Sequence, residues 1–97
     1  MTACITGWAH TRFGRLDSED SESLIVRVVR EAIADANLEA EAIDAIYLGT
    51  FNAGMSPQEF PGALVLQADD ALRFKPVTRV ENACATGSAA IYQGLNA

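Results

Sequence analysis

Cysteine, histidine and basic residues are all scarce in this sequence, and each shortage closes off a class of function. There are two cysteines, Cys4 and Cys84, and a single histidine, His10, in 97 residues. Two cysteines so far apart make neither a disulfide framework nor, by their spacing, a metal site. No metal is therefore expected, and a reduced, cytoplasmic setting is. Seven Lys and Arg stand against thirteen Asp and Glu, for a net charge of -6. The seven are scattered, with no basic run, which argues against a nucleic-acid partner held by charge. No apolar run approaches the length of a membrane span. The stretch from Met1 to Trp8 has no basic region followed by a long apolar segment, so no secretory leader is visible. The Gly-rich fingerprints of dinucleotide and P-loop nucleotide sites are missing as well.

What is present suits one small globular domain. Apolar residues make up 49% of the chain and charged residues 21%, a balance that supports a packed core and argues against disorder. No internal repeat or low-complexity segment interrupts it. The last ten residues, from Ser88 to Ala97, read as a helix with no clear terminator. This suggests that residues 1–97 are a fragment of a longer chain.

The small and β-branched residues 2–9 suit a buried first strand, with Gly14 as a turn residue beyond it. Residues 17–22 contain four acids. They lack the glycine and terminal glutamate of an EF-hand loop. They read as a solvated lead-in to a helix, where negative charge suits the positive end of the helix dipole. From Ser21 to Ala36 the helical period is clear. Leu24, Val28 and Ala32 form one row, Ile25, Val29 and Ile33 a second. Arg27 and Glu31 pair at the same spacing on the polar face. Asn37 stands where a left-handed residue would end the helix.

Residues 43–48 read as a second strand ended by Gly49, followed by a loop over 50–60. Pro61 is placed to open a second helix, since its missing N–H costs nothing there. Leu64, Ala68 and Leu72 then follow at four-residue steps. Pro76 stops that segment, 77–80 form a third strand, and a third helix begins from Ala85. The order βαβαβα defines an α/β class, with a mostly parallel sheet covered by helices.

Cys84 is the residue most suited to chemistry. It falls in a tight connection between a β-branched strand and a helix of small residues. Such a turn projects a side chain toward the carboxyl edge of the sheet. The free amides and dipole of the first helical turn favour a thiolate there, and the thiolate is the nucleophile. The same amides suit the oxyanion formed when a thioester carbonyl is attacked. Ala83, Ala85, Gly87 and Ser88 leave room for an acyl group. Gly87 costs a helix about 1 kcal/mol relative to Ala, so its presence points to close packing against a strand or a partner chain. Cys4, in an apolar strand, reads as inert packing. His10 reads as structural or solvent-facing, Arg12 and Arg15 as surface residues, and Met55 and Phe60 as anchors of the 50–60 loop.

Four segments carry a family resemblance. Gly7-Trp8-Ala9-His10-Thr11-Arg12-Phe13-Gly14 resembles the opening strand and Thr-x-Phe-Gly turn of the thiolase family. Within it, the likeness is to the branch related to sterol-carrier-protein thiolases. Ala32-Ile33-Ala34-Asp35-Ala36-Asn37-Leu38 is similar to a helix end of that family, with Asn37 in place of its usual glycine. Ile43-Asp44-Ala45-Ile46-Tyr47-Leu48-Gly49 is similar to its next strand. Most specific is Val80-Glu81-Asn82-Ala83-Cys84-Ala85-Thr86-Gly87-Ser88, which resembles the nucleophile segment Cys-x-Ser/Thr-Gly.

The resemblance implies a thiolase-like α/β fold and an acyltransferase of lipid metabolism. Coenzyme A thioesters would be its substrates, acyl-CoA and CoA its partners, and Cys84 its acyl carrier. No metal or redox cofactor is implied. A homodimer or homotetramer is, with Thr86, Gly87 and the third strand suited to packing against a second copy. The family's activating histidine and second cysteine come from later segments that this chain does not contain, so residues 1–97 alone are expected not to turn over. Relatives on the same fold, such as ketoacyl synthases, hydroxymethylglutaryl-CoA synthases and thiolase-like aldolase partners, are the alternatives, together with a non-catalytic scaffold subunit.

Overall fold

The computed structural model describes residues 2–51 and 61–97, with the side chain of Pro61 also outside the description. The expected loop anchors Met55 and Phe60 lie outside the described residues.

Helix α1 spans Ser21–Asp35 and begins with a reciprocal cap. The Ser23 N–H donates to Asp20 Oδ1 at 2.8 Å, and the Asp20 N–H donates to Ser23 Oγ at 2.9 Å. Two of the four orphan amides of a helix start are thereby satisfied. The Ser23 amide, and then its hydroxyl, hold the Asp20 carboxyl below its ordinary value of 3.8. A carboxylate depressed in the folded state lends stability above its ordinary value and loses it as the pH falls through the lower folded one. The amino-terminal turn of α1 is therefore expected to fray as the pH falls below the ordinary carboxylate range. Asp20→Asn, which caps without ionising, should remove that part of the acid response when helical circular dichroism is followed.

Arg27 bonds Glu19, ahead of the helix, instead of the expected Glu31. The end of α1 is as expected. Asn37 takes φ 57, and the chain leaves the helix there.

Two strands pair in parallel. β1 is Ile46–Thr50 and β2 is Val77–Glu81, in register from Ile46 opposite Val77 to Thr50 opposite Glu81. β1 begins later than the expected residue 43, for two reasons. The turn Ala40–Ala42 takes up the Ile43 N–H, and the ladder opens only where the Ile46 N–H meets the Pro76 carbonyl at 2.9 Å. Gly49 consequently lies inside the strand instead of ending it. Alternation along β1 separates two faces. Ile46 and Leu48 turn toward the core. Tyr47 and Gly49 turn toward helix α2, Thr86–Asn96, which lies across the strands.

The segment between the strands departs from the expected α-helix. Pro61–Ala68 is a 3-10 helix, and a second short turn follows at Asp70–Leu72. Burial recurs at Gly62, Val65 and Ala68, the three-residue step at which 3-10 side chains eclipse. Leu64 is not part of that buried row. The break between the two turns has a local cause. Asp69 is extended, and its side chain accepts from the Ala71 N–H at 2.9 Å, starting a new turn in competition with the old one. Val65, Ala68 and Leu72 form the centre of the core with Ala40, and Ile25, Val26 and Val29 of α1 cover them.

The α/β class with a parallel sheet holds, but its first expected strand does not form. Residues 2–10 pair with neither strand. A strand exists only through the backbone groups of a neighbour, and this segment spends its contacts on α1 instead. Gly7 lies against Ala32 and Ala36, so closely that a Cβ there would come within 2.6 Å of the Ala36 nitrogen. The Trp8 N–H donates to Asp35 Oδ2 at 3.0 Å. Ile5 is 80% exposed.

Candidate functional site

The two parallel strands end side by side at Thr50 and Glu81. From Glu81 the chain turns within a few residues into α2. Asn82 adopts φ -153 and ψ 46, and Ala83 adopts φ 44, a left-handed value at which any residue but glycine is strained. A single 3-10 turn, Ala83–Ala85, then leads into α2. Cys84 is the middle residue of that turn, at the carboxyl edge of the sheet, and is exposed. No side chain caps the start of α2; the turn ahead of it takes up the leading amides instead, the Ala85 N–H donating to the Asn82 carbonyl at 2.9 Å and the Thr86 N–H to the Ala83 carbonyl. A sharp strand-to-helix turn and an accessible sulfur at the positive end of a helix are the features sought of a nucleophile.

Thr86 fixes this turn, and its role was not legible from residue spacing. It is 8% exposed, the one buried polar residue among those described. Its Oγ1 accepts from the Asn82 N–H at 2.9 Å. The same oxygen lies 2.7 Å from the Ala83 carbonyl and 3.1 Å from the Thr50 carbonyl, either of which its one proton serves. Gly49 makes room for it: a Cβ there would stand 2.4 Å from Thr86 Cγ2. The sequence carried only a partial signal, a threonine in the Cys-x-Ser/Thr-Gly pattern. Its partner Thr50 lies 36 residues away.

Beside this network, Thr50 Oγ1 is buried with no hydrogen-bond partner among the described residues. An unpaired buried hydroxyl costs about 1–3 kcal/mol. Thr50→Val keeps the β-branched shape and the backbone carbonyl used by Thr86. It should raise stability by about 1 kcal/mol, seen as a higher thermal midpoint; a lower midpoint would show that the hydroxyl is satisfied.

The other residues singled out by sequence do not join the site. Cys4 is exposed, not packed in an apolar strand, because its segment forms no strand. His10 is exposed and stacks on Phe13, with ring centroids 5.6 Å apart, while Trp8 lies tilted against it at 5.1 Å. Arg12 is exposed, and Arg15 pairs with Asp17 at 2.7 Å on the surface. Among the described residues nothing beyond the helix's own turns approaches the position where a Cβ of Gly87 would lie. Close packing of α2 against its own strand therefore does not account for that glycine. Thr86 faces inward and is not free to meet a second copy. Among the described residues no group of three His, Cys, Asp or Glu could hold a metal ion, and no helix is long and apolar enough to cross a membrane.

A parallel α/β scaffold with an exposed cysteine at a strained strand-to-helix turn is a placement suited to a nucleophilic side chain. Residues 3–97 match the model of the thiolase amino-terminal domain, and the chain belongs to the thiolase family. It is 35% identical over 91 residues to an acetyl-CoA acetyltransferase of Methanocaldococcus jannaschii, covering 94% of this chain and 23% of that protein. To an acetyl-CoA acetyltransferase of Methanothermobacter thermautotrophicus it is 38% identical over 95 residues, covering 96% of this chain and 24% of that protein. The chain thus spans about a quarter of the length of these curated relatives.

Proposed function

We propose that this chain is the nucleophile-bearing amino-terminal part of an acyl-CoA acyltransferase that makes or cleaves a 3-ketoacyl-CoA carbon–carbon bond. The observation that carries the reading is the exposed Cys84 at the Ala83–Ala85 turn, ahead of the uncapped start of α2. In the proposed reaction the Cys84 thiolate attacks the thioester carbonyl of an acyl-CoA. The carbonyl electrons collapse back, CoA leaves as its thiolate, and the acyl group remains on Sγ. A second acyl-CoA, deprotonated at its α-carbon, then attacks the acyl-cysteine and releases Sγ; the cleavage direction is the reverse. Two easier steps replace one hard one. The positive end of the α2 dipole suits the transient oxyanion.

The bases that take up and return protons are absent from residues 1–97, which contain one histidine, stacked in the Trp8–His10–Phe13 cluster. On this proposal the 97-residue chain does not turn over, and the remaining groups come from further sequence. Acyl-CoA and CoA are the proposed small-molecule partners, with no other cofactor. The open face at Gly87 supports assembly with a second copy, as a cytoplasmic homodimer or homotetramer.

The test is mass spectrometry of the full-length protein after incubation with acetyl-CoA. An acetyl mass on the peptide containing Cys84 supports the proposal. An unmodified Cys84 with the label elsewhere, or no label at all, would sink it.

A further inference from the structure

We infer that the Thr86 hydroxyl is a positioning residue for Cys84, holding the nucleophile turn in its strained form; this rests on Cys84 being the acyl carrier. Three observations meet at that hydroxyl. First, it joins three backbone groups from two places in the chain. These are the Asn82 N–H and the Ala83 carbonyl on the turn, and the Thr50 carbonyl at the end of β1. Second, two of them flank or belong to Ala83, whose φ of 44 is disfavoured for an alanine. Strain of this kind persists only where the surroundings over-determine it. Third, Thr86 is 8% exposed and Gly49 is shaped to admit its methyl. The side chain is therefore directed into the fold.

Cys84 stands between Ala83 and Thr86. With the hydroxyl in place, the turn is tied to the β1 end, and the Cys84 position relative to the start of α2 is set by the sheet. Without it, Asn82 N–H loses its partner, Ala83 is released toward an ordinary conformation, and Cys84 moves with it. The methyl of Thr86 fills space beside Gly49, a packing role that valine retains. Hydroxyl and methyl functions are thus separable: Thr86→Val keeps the shape, and Thr86→Ser keeps the hydroxyl.

The test is the rate of iodoacetamide alkylation of Cys84 in the full-length protein, resolved from Cys4 and every other cysteine by peptide mass spectrometry. Cys4 is exposed in the irregular amino-terminal segment and serves as an internal reference. Thr86→Val is expected to slow Cys84 relative to Cys4 by about threefold or more, with the helical circular dichroism unchanged. Thr86→Ser is expected to react at the unsubstituted rate despite its missing methyl. In the full-length protein, acetyl transfer from acetyl-CoA to Cys84 should slow roughly tenfold or more in Thr86→Val at unchanged KM, and recover in Thr86→Ser.

An unchanged Cys84 to Cys4 ratio in Thr86→Val overturns the inference. So does a Thr86→Ser chain as slow as Thr86→Val, which would assign the effect to packing. Should Thr86→Val fail to fold, Thr86→Ser decides alone: the unsubstituted rate supports the hydroxyl role and a slowed rate refutes it. Failure of acetyl loading in the unsubstituted full-length protein would count against the acyltransferase reading. The alkylation ratios separately report whether the hydroxyl positions the thiol.

Discussion

Replacing Cys84 by Ser in the full-length protein is expected to remove the acetyl mass from its peptide and to lower acyl transfer by at least about 10³-fold. The substitution exchanges one atom on an exposed turn, so the fold has little reason to change. What changes is the nucleophile. A serine hydroxyl is a poor nucleophile unless a base takes its proton. The positive end of the α2 dipole favours an anion but removes no proton. No histidine lies in this turn, and His10 is occupied with Trp8 and Phe13.

The control is Cys4→Ser. Cys4 is exposed, like Cys84, but it lies in a segment that docks on α1 and has no helix start behind it. It should load and turn over like the unsubstituted protein. Acetyl loading that survives in Cys84→Ser, or disappears in Cys4→Ser, would assign the wrong sulfur. Circular dichroism of Cys84→Ser guards against the trivial cause.

The nucleophile turn and the parts of the fold that were legible in the sequence share a property: their determinants are local. The four-residue rows of α1, the acidic residues at its start and Asn37 at its end lie within one element, and the helix follows them. The strand after Pro76 and the helix after Cys84 are announced by a proline and by a change from β-branched to small residues. What was not legible depends on partners far along the chain. Residues 2–9 have the composition of a strand, but composition supplies no neighbour, and the segment lies on α1 through Gly7 and Trp8. The start of β1 is set by where Pro76 brings β2 alongside. In the Pro61–Ala68 segment a four-residue pattern and a three-residue pattern were both present. Packing against α1 and Val77, together with the Asp69 cap, selected the second. The candidate site divides in the same way. Cys84 was visible from its neighbours, whereas the hydroxyl that ties its turn to Thr50 became visible only when β1 and α2 were brought together.

Leu72→Ala is expected to cost about 3–4 kcal/mol of stability, within the range for truncating a buried leucine. Among the described residues Leu72 is fully buried, at 0% exposure, and only Ala40, Val65 and Ala68 share the buried core with it. Two of those three are alanines, so most of the apolar volume at the centre comes from Leu72 and Val65. The site is also poorly able to collapse. Leu72 borders an apolar groove shared with Val29, Ile33, Ile43, Ile46 and Val65, and removing its branched end enlarges that groove. Its backbone is held on both sides, since its N–H donates to the Asp69 carbonyl and its own carbonyl accepts from the Lys75 N–H. The turn therefore does not slide inward to fill the gap. A domain of this size has only about 5–15 kcal/mol in total, so the loss should move the urea midpoint sharply with little change in slope. Leu72→Met, which conserves volume, should cost less than about 1.5 kcal/mol. Ile91→Ala on α2, at a position 56% exposed, should stay within about 0.5 kcal/mol. The three variants together locate the core: an Ile91 effect as large as that of Leu72 would place it under α2 instead of between α1 and the Pro61–Leu72 turns.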